Sequence, residues 1–246
     1  MNLLVCISKT PDTTAKISFK ADDTEYNSDG VTFILNPYDE WYALVRAIEL
    51  TEQNGGNVTV INVGPATNDI IIRKALAIGA NDAVRIDTDA LDAFTVASNI
   101  ANYAKTKNFD IIFLGKETID YNGSEVGAMI AELMDLPYVS YASKLDVQSA
   151  LSTVTREIEG GEEVCQVEGP FVLSAAKGMA DQRIPNMKGI MMAKNKPLEV
   201  IAPMSGDVRV STQKFVLPPA KSGVKLIDPE NMDELVRLLH EEAKVI

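Results

Sequence analysis

Side chains that commonly carry catalysis are scarce in this chain. One histidine, His240, and two cysteines, Cys6 and Cys165, are all of those types in 246 residues. Histidine is the usual general base, and His240 lies among acids near the carboxyl end, so hydrolase and transferase chemistry lacks a carrier. The cysteines show no C-x-x-C spacing and no neighbouring histidine, which argues against a disulfide framework or a zinc site. Cys6 sits inside an apolar run, where a buried, inert thiol is expected. Basic residues are outnumbered, 23 Lys and Arg against 35 Asp and Glu, for a net charge of −12. Phosphate-backbone binding needs the opposite balance, so nucleic acid is not an expected partner. No run of 18 apolar residues is present to span a membrane. Met1 to Ser8 has no basic region before it and no small-residue cleavage site after it, and it reads as a first strand, not a signal peptide. A reducing cytoplasm or an organelle matrix is the expected location.

What is present is an alternation of strands and helices in a chain that is 46% hydrophobic, enough for one sizeable core. Leu3–Ile7 is a β-type run, followed by a turn at Thr10–Thr13. Asn36-Pro37-Tyr38-Asp39-Glu40 predicts a helix start, with Asn36 as cap, Pro37 in the first turn and the acids at the positive end of the dipole. Trp41, Leu44, Val45 and Ile48 continue it at helical spacing. Val58–Val63 is the next strand. A helix with Ile70, Ile71, Ala75 and Leu76 follows, then a strand at Ala83–Ile86 and a helix at Ala93–Ala104. Asp110–Gly115 is apolar on both faces, as a strand buried in a parallel sheet must be. A loop leads to a helix from about Ser124 to Met134. Such alternation predicts a doubly wound, mostly parallel sheet, with ligands outside the carboxyl ends of its strands. After residue 140 the pattern turns to strands at 145–147, 152–158 and 163–167, with a hairpin at Glu159-Gly160-Gly161, and another at 170–175. A Met- and Lys-rich stretch, a Pro-punctuated segment and a helix over Asn231–Val245 complete the chain.

No GxxxxGK[ST] or GxGxxG motif follows a strand. The segment from Gly115 to Gly127 does follow a buried strand and enter a helix, and its Asn122-Gly123-Ser124 would offer N–H groups and a hydroxyl to an anion. An ordinary helix cap has the same residue types, and the local pattern does not separate the two.

Several segments, in order, resemble beta subunits of electron-transfer flavoproteins. These are Leu4–Thr13, the N-P-[FY]-x-E start at Asn36–Glu40, Gly64-Pro65, Arg73–Ala80, Leu114–Gly127, and the hairpin Val154–Gly161 with Glu163 and Pro170. The departures are Ser8 where the family usually has Lys, Glu117 and Glu125 where it has Gln, and Cys165 for an aliphatic residue. The resemblance implies an α/β fold of the adenine-nucleotide-binding type over residues 1–204, with an added β-hairpin and a recognition loop at 180–196. A C-terminal arm and helix over 205–246 would contact a larger alpha subunit.

It further implies an electron carrier and not an enzyme, with FAD mainly on the alpha subunit. Electrons would come from acyl-CoA or related dehydrogenases, as in fatty acid β-oxidation, and go to a quinone oxidoreductase. AMP would lie in this subunit, lined by Cys6, Asn36, Pro37, Tyr38, Asp39, Val63 and the run Asp120, Tyr121, Asn122, Gly123, Ser124, Glu125, Val126, Gly127, Ala128, Met129, Ile130 and Ala131. In electron-bifurcating relatives, which use NADH, a second FAD takes that place. Their Asp-Gly-Asp-Thr-Ala-Gln-Val-Gly and Asp-Thr-x-Ala-Thr runs match Asp120–Gly127 and Asp92–Val96 poorly, although Val126 agrees, and AMP is the favoured ligand. Docking would fall to Met187, aligned with the family's anchor leucine, with Lys188, Ile190, Met191, Lys194 and Lys196 around it. A stand-alone adenine-nucleotide sensor is the alternative from another class.

Overall fold

The computed structural model describes residues 1–246 except 90–91, 149–150, 205–207 and 222. The chain opens with β1 (Asn2–Cys6) and a small antiparallel pair, β2 (Lys9–Pro11) and β3 (Phe33–Leu35). Helices and strands then alternate: α1 (Asp39–Asn54), β4 (Asn57–Val63), α2 (Asp69–Ile78), β5 (Asp82–Ile86), α3 (Ala93–Lys105), β6 (Ile111–Gly115) and α4 (Val126–Met134). Four strands follow, β7 (Tyr138–Gln148), β8 (Leu151–Ile158), β9 (Gly161–Glu168) and β10 (Phe171–Ala175). The remaining elements are α5 (Met187–Ala193), β11 (Leu198–Ile201) and α6 (Met232–Leu238), which runs on as a π-helical turn over Leu239–Ala243.

One nine-stranded sheet organises the molecule, in the order β11-β5-β4-β1-β6-β10-β7-β8-β9. It is parallel from β11 to β7 and antiparallel through β8 and β9. β1 shows why its residues must lie at the centre. Successive side chains point to opposite faces, and Leu3 and Val5 join the core beneath α1 and α2 while Leu4 and Cys6 join the one beneath α3 and α4. With both faces covered, each fully buried Leu or Ile stabilises the fold by roughly 2 kcal/mol.

The two-residue turn Glu159-Gly160 joins β8 to β9, with Ile158 opposite Gly161 and Gly160 at φ 82. Glycine adopts that left-handed conformation without steric cost. Other expectations need correction. Thr10 and Pro11 belong to β2 and not to a free turn, because they pair with β3. β7 begins at Tyr138, seven residues before the expected strand, because it pairs with β10 first and with β8 afterwards. The last helix is shorter than Asn231–Val245 and is capped by the Asn231 side chain, which accepts from the Glu234 N–H. Among the described residues no helix is long and apolar enough to cross a membrane.

Between β11 and α6 the segment is tied to the sheet domain at defined points. Met204 N–H donates to Asn99 Oδ1 at 2.8 Å, and the Arg209 and Val210 N–H groups donate to Asp92 Oδ2 at 2.7 and 3.1 Å. Phe215 stacks on Phe19 with ring centroids 4.7 Å apart. Asp92 also caps α3 by accepting from Thr95 N–H, and these bonds bring its carboxyl down to about 2 despite some desolvation.

Candidate functional site

The chain runs from β1 outward through β4 and β5 on one side of the sheet and returns to β6 on the other. The crevice outside the carboxyl ends of β1 and β6 is therefore the point where ligands bind in such sheets. A cavity of about 470 Å³ lies there. Cys6, Ile7 and Ser8 at the end of β1, Val63, Gly64 and Pro65 at the end of β4, and Leu114 to Thr118 at the end of β6 form much of its wall. Gly115 is required at this point: a Cβ there would meet the Glu40 backbone nitrogen at 2.7 Å.

Asn36 does not cap α1, which corrects the sequence expectation. Tyr38 stands at the cap position with φ 65 and ψ −101, and no side chain caps the helix. The fully buried Asn36 amide instead donates from Nδ2 to the Glu117 carbonyl at 3.0 Å and accepts at Oδ1 from the Ile119 N–H at 3.1 Å. A buried amide needs partners, and the loop after β6 supplies them. Asn36 thus shapes the cavity wall without lining it.

The same loop ends in a distinctive backbone. Asn122 (φ 50) and Ser124 (φ 53) are left-handed, and Glu125 (φ −109, ψ −27) is right-handed. Alternation of this kind turns successive N–H groups to one side and makes an anion-binding concavity. It leads into the N-terminus of α4, whose first N–H groups have no intrahelical acceptor. α4 begins at Val126, so Ser124 precedes the helix and was expected inside it.

Charge around the cavity is mixed. Glu117 is paired: Lys116 Nζ lies 3.1 Å from Oε1, and Ser124 donates to Oε2 at 3.3 Å. Partial burial raises its carboxyl, but bonds from Lys116, Asn122 and Ser124 outweigh that and hold it below the usual range. Among the described residues Glu40 has no salt-bridge partner. Its Oε2 accepts from the Ser8 N–H at 2.6 Å, and burial, with Asp120 nearby, pushes its carboxyl up to about 8 against that bond. Asp39 is raised to about 6, mainly by burial. Burial also pushes the Cys6 thiol far up, so it is an unreactive part of the wall.

Of the residues expected to line a nucleotide site, the structure brings Cys6, Val63, Tyr121, Gly123, Ser124, Glu125, Val126 and Gly127 to the cavity. Asn36, Pro37, Tyr38, Asp39, Asp120, Asn122, Ala128, Met129, Ile130 and Ala131 are not in its wall. Ile130 and Ala131 are buried and Met129 packs beside them in the core beneath α4, because a helix can turn only one face to the cavity. Sequence reasoning missed Asn62, Asn68 and Asp89, which do line it. The strand end at Val63 was the signal that could have found the first two. Among the described residues no cluster of His, Cys, Asp and Glu could hold a metal ion.

The Met-rich stretch is a short helix, α5, and not a loose loop. Asn186 caps it by accepting from the Gly189 N–H, and Arg73 donates to the carbonyls of Ala193 and Lys196 at 2.8 and 2.7 Å. Met187, Ile190, Met191 and Met192 are exposed, Met187 by 75%. Lys188 and Lys194 are exposed beside them. Lys196 departs from the expected docking role. Its ammonium is turned inward onto the carbonyls of Leu76 and Ala80, because the C-terminal end of α2 leaves carbonyls without partners.

Fold and cavity together define an α/β protein of the class that holds ligands over the carboxyl ends of parallel strands. Residues 24–205 match the model of the electron transfer flavoprotein domain. The chain is 35% identical to the electron transfer flavoprotein subunit beta of Bacillus subtilis over the full length of both. Identity is 36% to that of Syntrophomonas wolfei, over 93% of this chain and 90% of the relative, and 31% to the human subunit, over 100% and 99%. The chain belongs to the electron-transfer flavoprotein family, among its beta subunits.

Proposed function

We propose that the chain acts as the beta subunit of a heterodimer that carries electrons from acyl-CoA or related dehydrogenases to a quinone oxidoreductase, and that its cavity holds AMP. Flavin held mainly by the alpha subunit would supply the redox chemistry, and this chain would buttress it from the segment beyond residue 204. The observation that carries the AMP reading is the left-handed turn at Asn122–Ser124 running into α4 on the rim of a cavity of about 470 Å³. Backbone N–H groups gathered there suit a phosphate. The volume is of small-ligand size, and a dinucleotide as large as FAD would extend beyond it. Pairing of Glu117 with Lys116 and Ser124 moderates the acid that departs from the family pattern.

Dehydrogenase docking is assigned to α5. An apolar cluster of methionines held on a clamped helix is pre-organised, which lowers the ordering cost of a transient contact. Met187→Glu should therefore raise the KM of a cognate acyl-CoA dehydrogenase for the heterodimer about tenfold or more, with kcat nearly unchanged. An unchanged KM would remove α5 from the docking surface.

A further inference from the structure

Two cations lie between α2 and α5, and each is turned to the end of the other's helix. Arg73 projects from α2, and its Nη1 donates to the carbonyls of Ala193, the last residue of α5, and of Lys196, at 2.8 and 2.7 Å. Lys196 follows α5, and its Nζ donates to the Leu76 and Ala80 carbonyls at the carboxyl end of α2, the first at 2.9 Å. Helix carboxyl ends leave carbonyls unpaired and carry a partial negative charge, which a cation satisfies. The exchange is reciprocal. Among the described residues neither cation has a salt-bridge partner, although Asp and Glu outnumber Lys and Arg by 35 to 23. The two helices also touch closely here: a Cβ on Gly189 would fall 2.4 Å from the Ala77 carbonyl oxygen.

α5 has only seven residues. Isolated helices shorter than about 12–15 residues are marginal in water, so α5 takes its shape and place from what holds it. On its inner side Ala193 is buried in the core beneath α1 and α2. On its outer side Met187 and Met191 are 75% and 68% exposed. We propose that Arg73 and Lys196 are positioning residues for docking of the electron donor: by capping each other's helices they fix α5 on α2, and so fix where Met187 is presented. The inference rests on the docking role given above for α5, and neither cation has to touch the dehydrogenase. Without the caps Met187 could still reach a partner, but each encounter would first have to order the segment, which weakens binding. Once the complex has formed, α5 is in the same place, so the step that follows keeps its rate.

The test measures KM and kcat of a cognate acyl-CoA dehydrogenase for the heterodimer carrying Arg73→Met, Lys196→Met, Met187→Glu, or Arg73→Met together with Met187→Glu. Methionine keeps most of each aliphatic stem and removes the charge. Expected for Arg73→Met and for Lys196→Met is a KM raised about fivefold or more, with kcat and bound flavin unchanged. In the double variant Arg73→Met should raise KM by less than about twofold beyond Met187→Glu, because the anchor it positions is already gone. Full multiplication of the two effects, an unchanged KM in either methionine variant, or a fall in kcat or in bound flavin overturns the inference. A raised KM for Met187→Glu then still leaves the docking reading intact. An unchanged KM for Met187→Glu overturns both. Gly189→Ala, which pushes α5 off the Ala77 carbonyl and removes no charge, serves with the same expectation if a methionine variant does not fold.

Discussion

Replacing Asn36 with leucine should destabilise the protein by about 3 kcal/mol and cost the cavity its nucleotide. The side chain is fully buried and nearly the size of leucine, so packing is conserved and the loss is of hydrogen bonds. Its amide holds the Glu117 carbonyl and the Ile119 N–H, and both would be left without their partner. Each unsatisfied buried group costs about 1–3 kcal/mol. The loop they anchor carries Tyr121, Gly123 and Ser124 into the cavity wall, so the ligand should be lost with it. Urea unfolding and AMP titration check the two effects together. A leucine variant that unfolds at the wild-type midpoint and binds AMP normally would show that the loop stands without Asn36.

A second large effect is a pH dependence that Glu40→Gln should abolish. The Glu40 carboxyl is raised from 4.5 in an ordinary setting to about 8 here, chiefly by burial. Between those values the folded protein keeps a proton that the unfolded chain has released. The group's contribution is therefore complete below about pH 4.5 and declines as the pH rises, until it is lost above about pH 8. Glutamine cannot lose a proton, and its amide oxygen can still accept from the Ser8 N–H. Relative to Glu40→Gln, wild type should lose on the order of 4 kcal/mol between about pH 5 and pH 9. Asp39, also raised, tilts both proteins in the same direction and drops out of the comparison. Parallel stability curves for the two proteins would contradict the assignment.

Where the sequence was legible, the reason was local. Alternating apolar runs identified the parallel strands and their helices, because strands buried on both faces can be built in few other ways. The Gly160 turn was legible because Gly-Gly between two extended runs marks a place where the chain can reverse. Asn36 misled because Asn-Pro before two acids has the composition of a helix start, whereas its partners lie some 80 positions away at Glu117 and Ile119. Tyr138 and Val139 were missed because Pro137 punctuates the chain before them and their first partner, β10, comes later in sequence. α5, seven residues of which three are Met, has too little periodicity to distinguish it from a loop. Asn62 and Asn68 belong to no motif. They meet because the short turn after β4 folds Asn68 back onto the strand's end, and β1 beside β4 supplies the Ile7 carbonyl that holds Asn62.

The central claim is that this beta subunit holds a mononucleotide without redox function while the flavin belongs to its partner. Its most direct test is to purify the chain with its alpha subunit, denature the complex and quantify the released nucleotides. One FAD and one AMP per heterodimer are predicted. Two FAD and no AMP would contradict the account and place a second redox centre in the cavity.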